Sequence, residues 1–214
     1  MIAVAYVHGG NVRHEFMLSV QDLVLRERRV AAVLQAQGPY IPQNRNLVCE
    51  RFLQIPVQCD WLWFLDIDIE FGKDTLDCLL DAADPVERPV VGALYLNQVT
   101  GKPPGTWWPT WSDEVGRIEK IVMGEVHEVT TLGMGCTLIH RRVLERLAKA
   151  HSDDPWPWFG HDILEHDGIR ERVGEDETFC SRARESGFPI HGVAHLVNHV
   201  KSVSIGQTYL EGLV

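Results

Sequence analysis

Residues 59–68, Cys59-Asp60-Trp61-Leu62-Trp63-Phe64-Leu65-Asp66-Ile67-Asp68, constrain the fold most. Trp61 to Leu65 is an apolar run of strand length that must be buried. Asp66 and Asp68 stand where the run ends, and strand alternation is expected to put both side chains on one side. Two carboxylates this close are costly to bury without a cation. Oxygen ligands of this kind suit Mg²⁺ or Mn²⁺, and such ions commonly accompany a diphosphate. Asp-x-Asp also occurs as a solvated turn or helix cap, so the preceding strand and the rest of the chain decide the reading.

The flanking segments repeat the pattern. Ile2–Val7 reads as a short buried strand ending at His8-Gly9-Gly10. Phe16, Met17, Val20, Leu23 and Val24 recur at helical spacing. Asn44-Arg45-Asn46 is expected to cap a second helix bearing Leu47, Val48 and Phe52. Asp74 is expected to cap a third, with Leu76, Leu79 and Leu80 on one face, and Pro89–Tyr95 reads as another buried strand. Strand, helix, helix, strand, helix, strand is an α/β order with a largely parallel sheet.

The second half is less regular. Residues 102–111 are rich in Pro, Gly and Trp and are expected to form no regular element. Val115–Met123 and Val126–Thr131 read as strands, a candidate hairpin, and Gly133–Ile139 as a Gly-led strand. Arg141–Ala150 is an amphipathic helix with Val143, Leu144 and Leu147 inward. Ser152–Arg172, dense in Asp, His, Trp and Pro, reads as a lid or mobile loop. Gly174-Glu175-Asp176-Glu177 opens a last helix, which Gly187 ends, and Phe188–His191 reads as a strand.

With 214 residues, 45% of them hydrophobic, the chain suits a single domain with a full core. A net charge of −10 disfavours a polyanion as main partner. Five scattered cysteines, with no Cys-x-x-Cys pair, read as reduced thiols. No apolar run approaches a membrane span, and the apolar N-terminus has no basic leader. The expected setting is therefore cytoplasmic.

Three segments are candidates for one site: Asp66/Asp68, the acidic cluster Glu175-Asp176-Glu177, and His199. Acidic residues also stabilise a helix start without any other role, and a satisfied histidine is the default for His199. In their order, however, Asn44–Val48, Phe64–Asp68, Val90–Tyr95, Leu132–Ile139, Gly174–Phe179 and His199 resemble the GT-A class of nucleotide-sugar glycosyltransferases, especially family-2-like members of bacteria and phages. The resemblance covers nearly the whole chain and implies one Rossmann-like domain over residues 1–214, with a mixed, mostly parallel sheet. Residues 1–100 would form its nucleotide-sugar-binding half, and residues 101–214 its acceptor-side half with the loop 152–172.

The resemblance also implies roles. Asp66, Asp68 and His199 would bind Mn²⁺, favoured over Mg²⁺ because imidazole is the softer ligand. Asp176 would be the base that takes the acceptor's proton, and Glu175 would orient the sugar or loop, with Glu177 a weaker candidate. His8, Arg45, Asp66 and Lys201 would contact the donor, with a UDP-sugar the leading candidate. For Arg45 and Lys201, a surface salt bridge and a solvated lysine are the competing readings. The implied activity is metal-dependent, inverting transfer of a sugar to an acceptor hydroxyl. The acceptor stays open among glycan, protein, lipid-linked and modified nucleic-acid hydroxyls, as does a homo-oligomer. A sugar-nucleotide nucleotidylyltransferase and a non-catalytic nucleotide-sugar or glycan-binding module are the alternatives. Trp107, Trp108, Trp111, Trp156 and Trp158 either line the acceptor side or anchor loops. His161-Asp162 and His166-Asp167 match nothing in the family's pattern.

Overall fold

The computed structural model describes residues 1–56, 58–98, 107–113, 116–118, 120–166 and 169–201. A seven-stranded sheet comprises β1 (Ile2–His8), β2 (Val30–Gln37), β3 (Trp61–Asp66), β4 (Val90–Leu94), β5 (Val126–Val129), β6 (Cys136–His140) and β7 (Ile190–Leu196). Its order is β2-β1-β3-β6-β4-β7-β5. β1 runs parallel to β2 and β3, and β7 parallel to β4; β6 and β5 run antiparallel to their neighbours. The α/β, largely parallel expectation therefore holds.

Both faces of the sheet are covered, which is why β3 reads as an unbroken apolar run rather than an alternating one. Leu62 and Phe64 pack on one face with α2 (Ile41–Gln54), α4 (Arg141–Ala150) and α5 (Glu175–Glu185). Trp63 and Leu65 pack on the other with α1 (His14–Arg26) and α3 (Thr75–Ala82). At roughly 25 cal/mol per Å² of apolar surface, the two large rings of Trp63 and Phe64 alone account for several kcal/mol of burial.

Five sequence readings are corrected. β2 was not foreseen: its Ala- and Gln-rich edge strand, exposed on alternate residues, lacks a strong strand signal. The triplet Asn44-Arg45-Asn46 does not cap α2. The helix begins at Ile41 with Pro42 in its first turn, where a missing N–H costs nothing, and the Asn46 amide instead donates to the Pro42 and Phe159 carbonyls, each at 2.7 Å. Nor does Asp74 cap α3 with its side chain. Val126–Val129 is not half of a hairpin with Val115–Met123; it pairs with β7. Trp107–Pro109 is regular after all, pairing antiparallel with Leu96–Gln98. Residues 102–106 of the Pro-Gly-Trp stretch, Val115, Glu119 and Asp167 lie outside the described residues.

Segment 152–162 is anchored. Trp158 and Phe159 are buried, and the Trp158 indole N–H donates to the Leu144 carbonyl at 2.8 Å. Arg182 of α5 grips Asp162 through Nε (3.0 Å) and Nη2 (2.7 Å), and Nη2 also reaches Asp154 at 2.8 Å. His161-Asp162 thus has a structural explanation in Asp162. Beyond it, Ile163–His166 pairs with Ile169–Arg172. Arg141 spreads its guanidinium over the carbonyls of Phe52, Leu53, Ile55 and Cys59, satisfying the otherwise open C-terminal end of α2.

Candidate active site

The site forms where β1, β3 and β4 reach their C-terminal ends, the usual ligand edge of a parallel sheet. Val7 of β1 lies beside Asp66 of β3 in register, so His8 and Asp66 share this edge. Asp66 continues the Leu62/Phe64 side of β3, and that parity turns it toward α2 and α5. The Arg45 Nη2 donates to Asp66 Oδ1 at 3.0 Å. The same guanidinium pairs with Asp176 through Nη1 and lies 3.6 Å from Glu175 Oε1. Phe159 closes the other side, 5.6 Å from ring centroid to Arg45 Cζ.

Arg45 is 2% exposed, which removes the surface salt-bridge reading. Itself 131 residues from Asp176, it ties the strand-end carboxylate to the helix-start carboxylates. Burial alone would push its pKa down, but Asp176, Asp66 and Glu175 outweigh that and keep it firmly charged. Burial pushes the Asp66 and Asp176 carboxyls above their usual range, while Arg45 pulls each back. Asp176 Oδ2 also accepts the Met134 N–H at 3.1 Å. Among the described residues, Nε of Arg45 and Nδ1 of His8 are buried with no hydrogen-bond partner.

Asp68 is separate. β3 stops at Asp66, and Ile67-Asp68 is a turn, so the alternation expected to put both aspartates on one side does not extend to Asp68. Asp68 Oδ2 faces His199 Nε2 at 3.1 Å and accepts from Lys201 Nζ at 2.7 Å. Desolvation would raise this carboxyl, but His199 and Lys201 win and hold it well below the usual carboxylate range. His199, 8% exposed at its side chain, has Nδ1 at 2.9 Å from the Leu96 carbonyl. A carbonyl only accepts, so Nδ1 points a proton at Leu96, and Nε2 is the ring atom that faces Asp68.

This is the arrangement of a metal-binding imidazole with an outer carbonyl partner. The Asp68 oxygen and His199 nitrogen fit a divalent ion of the Mn²⁺ type. Asp66, turned to Arg45, does not join them in a three-ligand set within 4.8 Å; among the described residues that spacing is met only by Asp74, Cys78 and His195.

A cleft of about 380 Å³ opens beside these groups, with Glu175, Asp176 and Glu177 on one wall and Tyr95, Asn97 and Thr110 on another. Tyr95 was missed as a site residue. Its buried hydroxyl accepts the Gly135 N–H at 3.0 Å, and a Cβ on Gly135 would sit 2.8 Å from that oxygen. The Gly133/Gly135 pair in sequence was the available signal: only glycines let the Tyr95 hydroxyl approach the backbone here. Of the tryptophans, Trp111 and Trp158 are buried anchors, whereas Trp107 is 44% exposed and lines a groove with His199.

This sheet order, with both carboxylate groups at its C-terminal edge, is the GT-A fold found in nucleotide-sugar glycosyltransferases. Among solved structures, A197 from STIV matches with TM-score 0.59 and 19% identity, over 94% of this chain and 87% of that one. GalNAc-T7, solved with UDP, GalNAc and Mn²⁺, matches with TM-score 0.61 and 12% identity, over 100% of this chain and 47% of that one. S. aureus TarS in complex with UDP-GlcNAc matches with TM-score 0.54 and 13% identity, over 96% and 60%. This chain thus spans about half of the GalNAc-T7 chain and three-fifths of the TarS chain. At these identities the likeness establishes the fold. No protein-family model matches the chain, and no curated protein sequence does either.

Proposed function

We propose that the protein is a metal-dependent, inverting glycosyltransferase that moves a sugar from a nucleoside diphosphate sugar to an acceptor hydroxyl. One observation carries the reading: an Asp68–His199 pair suited to a divalent ion and an Asp176 carboxylate facing a cleft occupy the same sheet edge, with Arg45–Asp66 between them. The GT-A neighbours solved with UDP and Mn²⁺ or with UDP-GlcNAc support the donor class.

Mn²⁺ held by Asp68 and His199 would supply Lewis acidity against the charge of the leaving diphosphate. Lys201 contacts the same Asp68 oxygen that a cation would face, so the two compete for it. Released, its ammonium is available to a phosphate. His8 and Arg45 border the donor's side of the edge. Asp176 takes the acceptor proton from the face opposite the leaving group, which inverts the anomeric centre. Arg45 and the Met134 N–H fix its orientation. Glu175 lies on the same cleft wall and orients the sugar.

The test is UDP release from UDP-sugars with Mn²⁺, beside direct donor binding. Asp176→Asn should keep donor binding and lose turnover by about 10²–10⁴-fold. Normal turnover in that variant would remove Asp176 as the base. Pyrophosphate release from a nucleoside triphosphate and a sugar phosphate would replace the reading with nucleotidyl transfer. Donor binding without turnover would leave a binding module.

A further inference from the structure

Away from the cleft, α3 and β7 meet in a second group of ligating side chains. Asp74 immediately precedes α3 and Cys78 follows one turn later, its N–H donating to the Asp74 carbonyl at 2.9 Å. Residues four apart at a helix start rise on the same face. His195 of β7 reaches that face from the sheet. Its Nε2 lies 3.0 Å from the hydroxyl of the fully buried Thr75, which holds the ring against α3. One ligand atom each from Asp74, Cys78 and His195 lies within 4.8 Å of the others. Asp74 is exposed and the other two half-buried, so an ion and one water have access.

We propose that Asp74, Cys78 and His195 bind Zn²⁺. A thiolate, an imidazole, a carboxylate and a water make up the four-coordinate donor set of zinc. The sulfur excludes the hard-cation preference that Asp68 and His199 serve. Binding forms a metal–sulfur bond, and the Cys78 thiol proton leaves to solvent. The surroundings favour a cation, because Asp77 and Asp81 add negative charge beside Asp74 and the Cys78 thiol. The ion would tie α3 to β7 just before Asn198–His199, the short strand that pairs with Ile69–Glu70 beside Asp68. It would therefore brace the segment that presents His199.

The experiment uses the full chain, stripped with chelator, held under a non-thiol reductant and titrated with Co²⁺ as the probe. The expected result is one sulfur-ligated Co²⁺, whose sulfur-to-cobalt charge-transfer absorption Zn²⁺ bleaches. Cys49, Cys59, Cys136 and Cys180 are buried, so the sulfur signal reports on Cys78. Cys78→Ser should abolish the band, and His195→Gln should weaken Co²⁺ binding by roughly ten-fold or more. Asp68→Asn should leave the band unchanged. Zn²⁺ should raise the melting temperature of the native chain and not of Cys78→Ser. No sulfur band in the native chain, or a band equally strong in Cys78→Ser and His195→Gln, overturns the site. No sugar nucleotide or Mn²⁺ enters these measurements, so their outcome is independent of the glycosyltransferase reading.

Discussion

Removing the Arg45 guanidinium would leave Asp66, Asp176 and Glu175 around one buried point with no cation among them. Arg45→Met should cost about 2–4 kcal/mol in denaturant unfolding, because stranding a buried charge is expensive; the value stays below the range for an enclosed pair because Asp66 and Asp176 each keep 32% of the side chain open to the cleft. The pH dependence follows from the same contacts. Burial holds the Asp176 carboxyl above its usual range, so the acid limb of kcat/KM should lie above that of an ordinary aspartate. Arg45 opposes that rise, so in Arg45→Met the limb should move to still higher pH. A limb unmoved by the substitution would contradict the coupling.

Asp68 has the opposite sign. Its carboxyl is depressed in the folded state, so the stability from His199 and Lys201 is fully present above the unfolded-state value of about 3.9. It is lost as pH falls through the lower folded-state value. Lys201 is 39% exposed at its side chain, and its contact with Asp68 is worth about 1 kcal/mol or less. Lys201→Met should therefore tighten Mn²⁺ binding by no more than about five-fold, measured by calorimetry. Unchanged or weaker binding would show that Lys201 does not compete for Asp68.

Among the elements, those buried on both faces were the most legible in sequence. β1, β3 and β4 are apolar throughout because helices cover each side, and α4 shows its inward stripe of Val143, Leu144 and Leu147 plainly. β2 was not legible: edge position and half-exposure leave an Ala/Gln pattern that favours no state. The start of α2 was misread because its signal is Pro42 rather than an Asn cap. The turn at Ile67-Asp68 was hidden because nothing in Asp-Ile-Asp marks the point where pairing with β6 ends. Close packing gives an element-scale test. A Cβ on Gly192 of β7 would meet the Trp111 ring at 2.5 Å. Gly192→Ala should thus destabilise by about 1–3 kcal/mol in denaturant melts through overpacking, whereas an unchanged midpoint would mean that Trp111 moves freely.

At the scale of the whole molecule, the two halves of the chain share one sheet: β6 from the second half lies between β3 and β4 of the first. That interleaving brings Asp176 and His199 to the edge that holds Asp66, more than a hundred residues away in sequence. The residue types and their order were legible in sequence. The partnerships were not, because Arg45 bridging Asp66 to Asp176, and the Leu96 carbonyl orienting the His199 ring, depend on the strand order. No helix among the described residues is long and apolar enough to cross a membrane.

The central claim is that donor binding requires a divalent ion at Asp68 and His199, and thermal unfolding with a panel of nucleotide sugars, with and without Mn²⁺, tests it most directly. A true donor near a hundred times its Kd should raise the melting temperature by roughly 5–10 °C. That rise should need Mn²⁺, vanish in chelator and be absent in Asp68→Ala. A rise of equal size in chelator, or one retained in Asp68→Ala, would contradict the account.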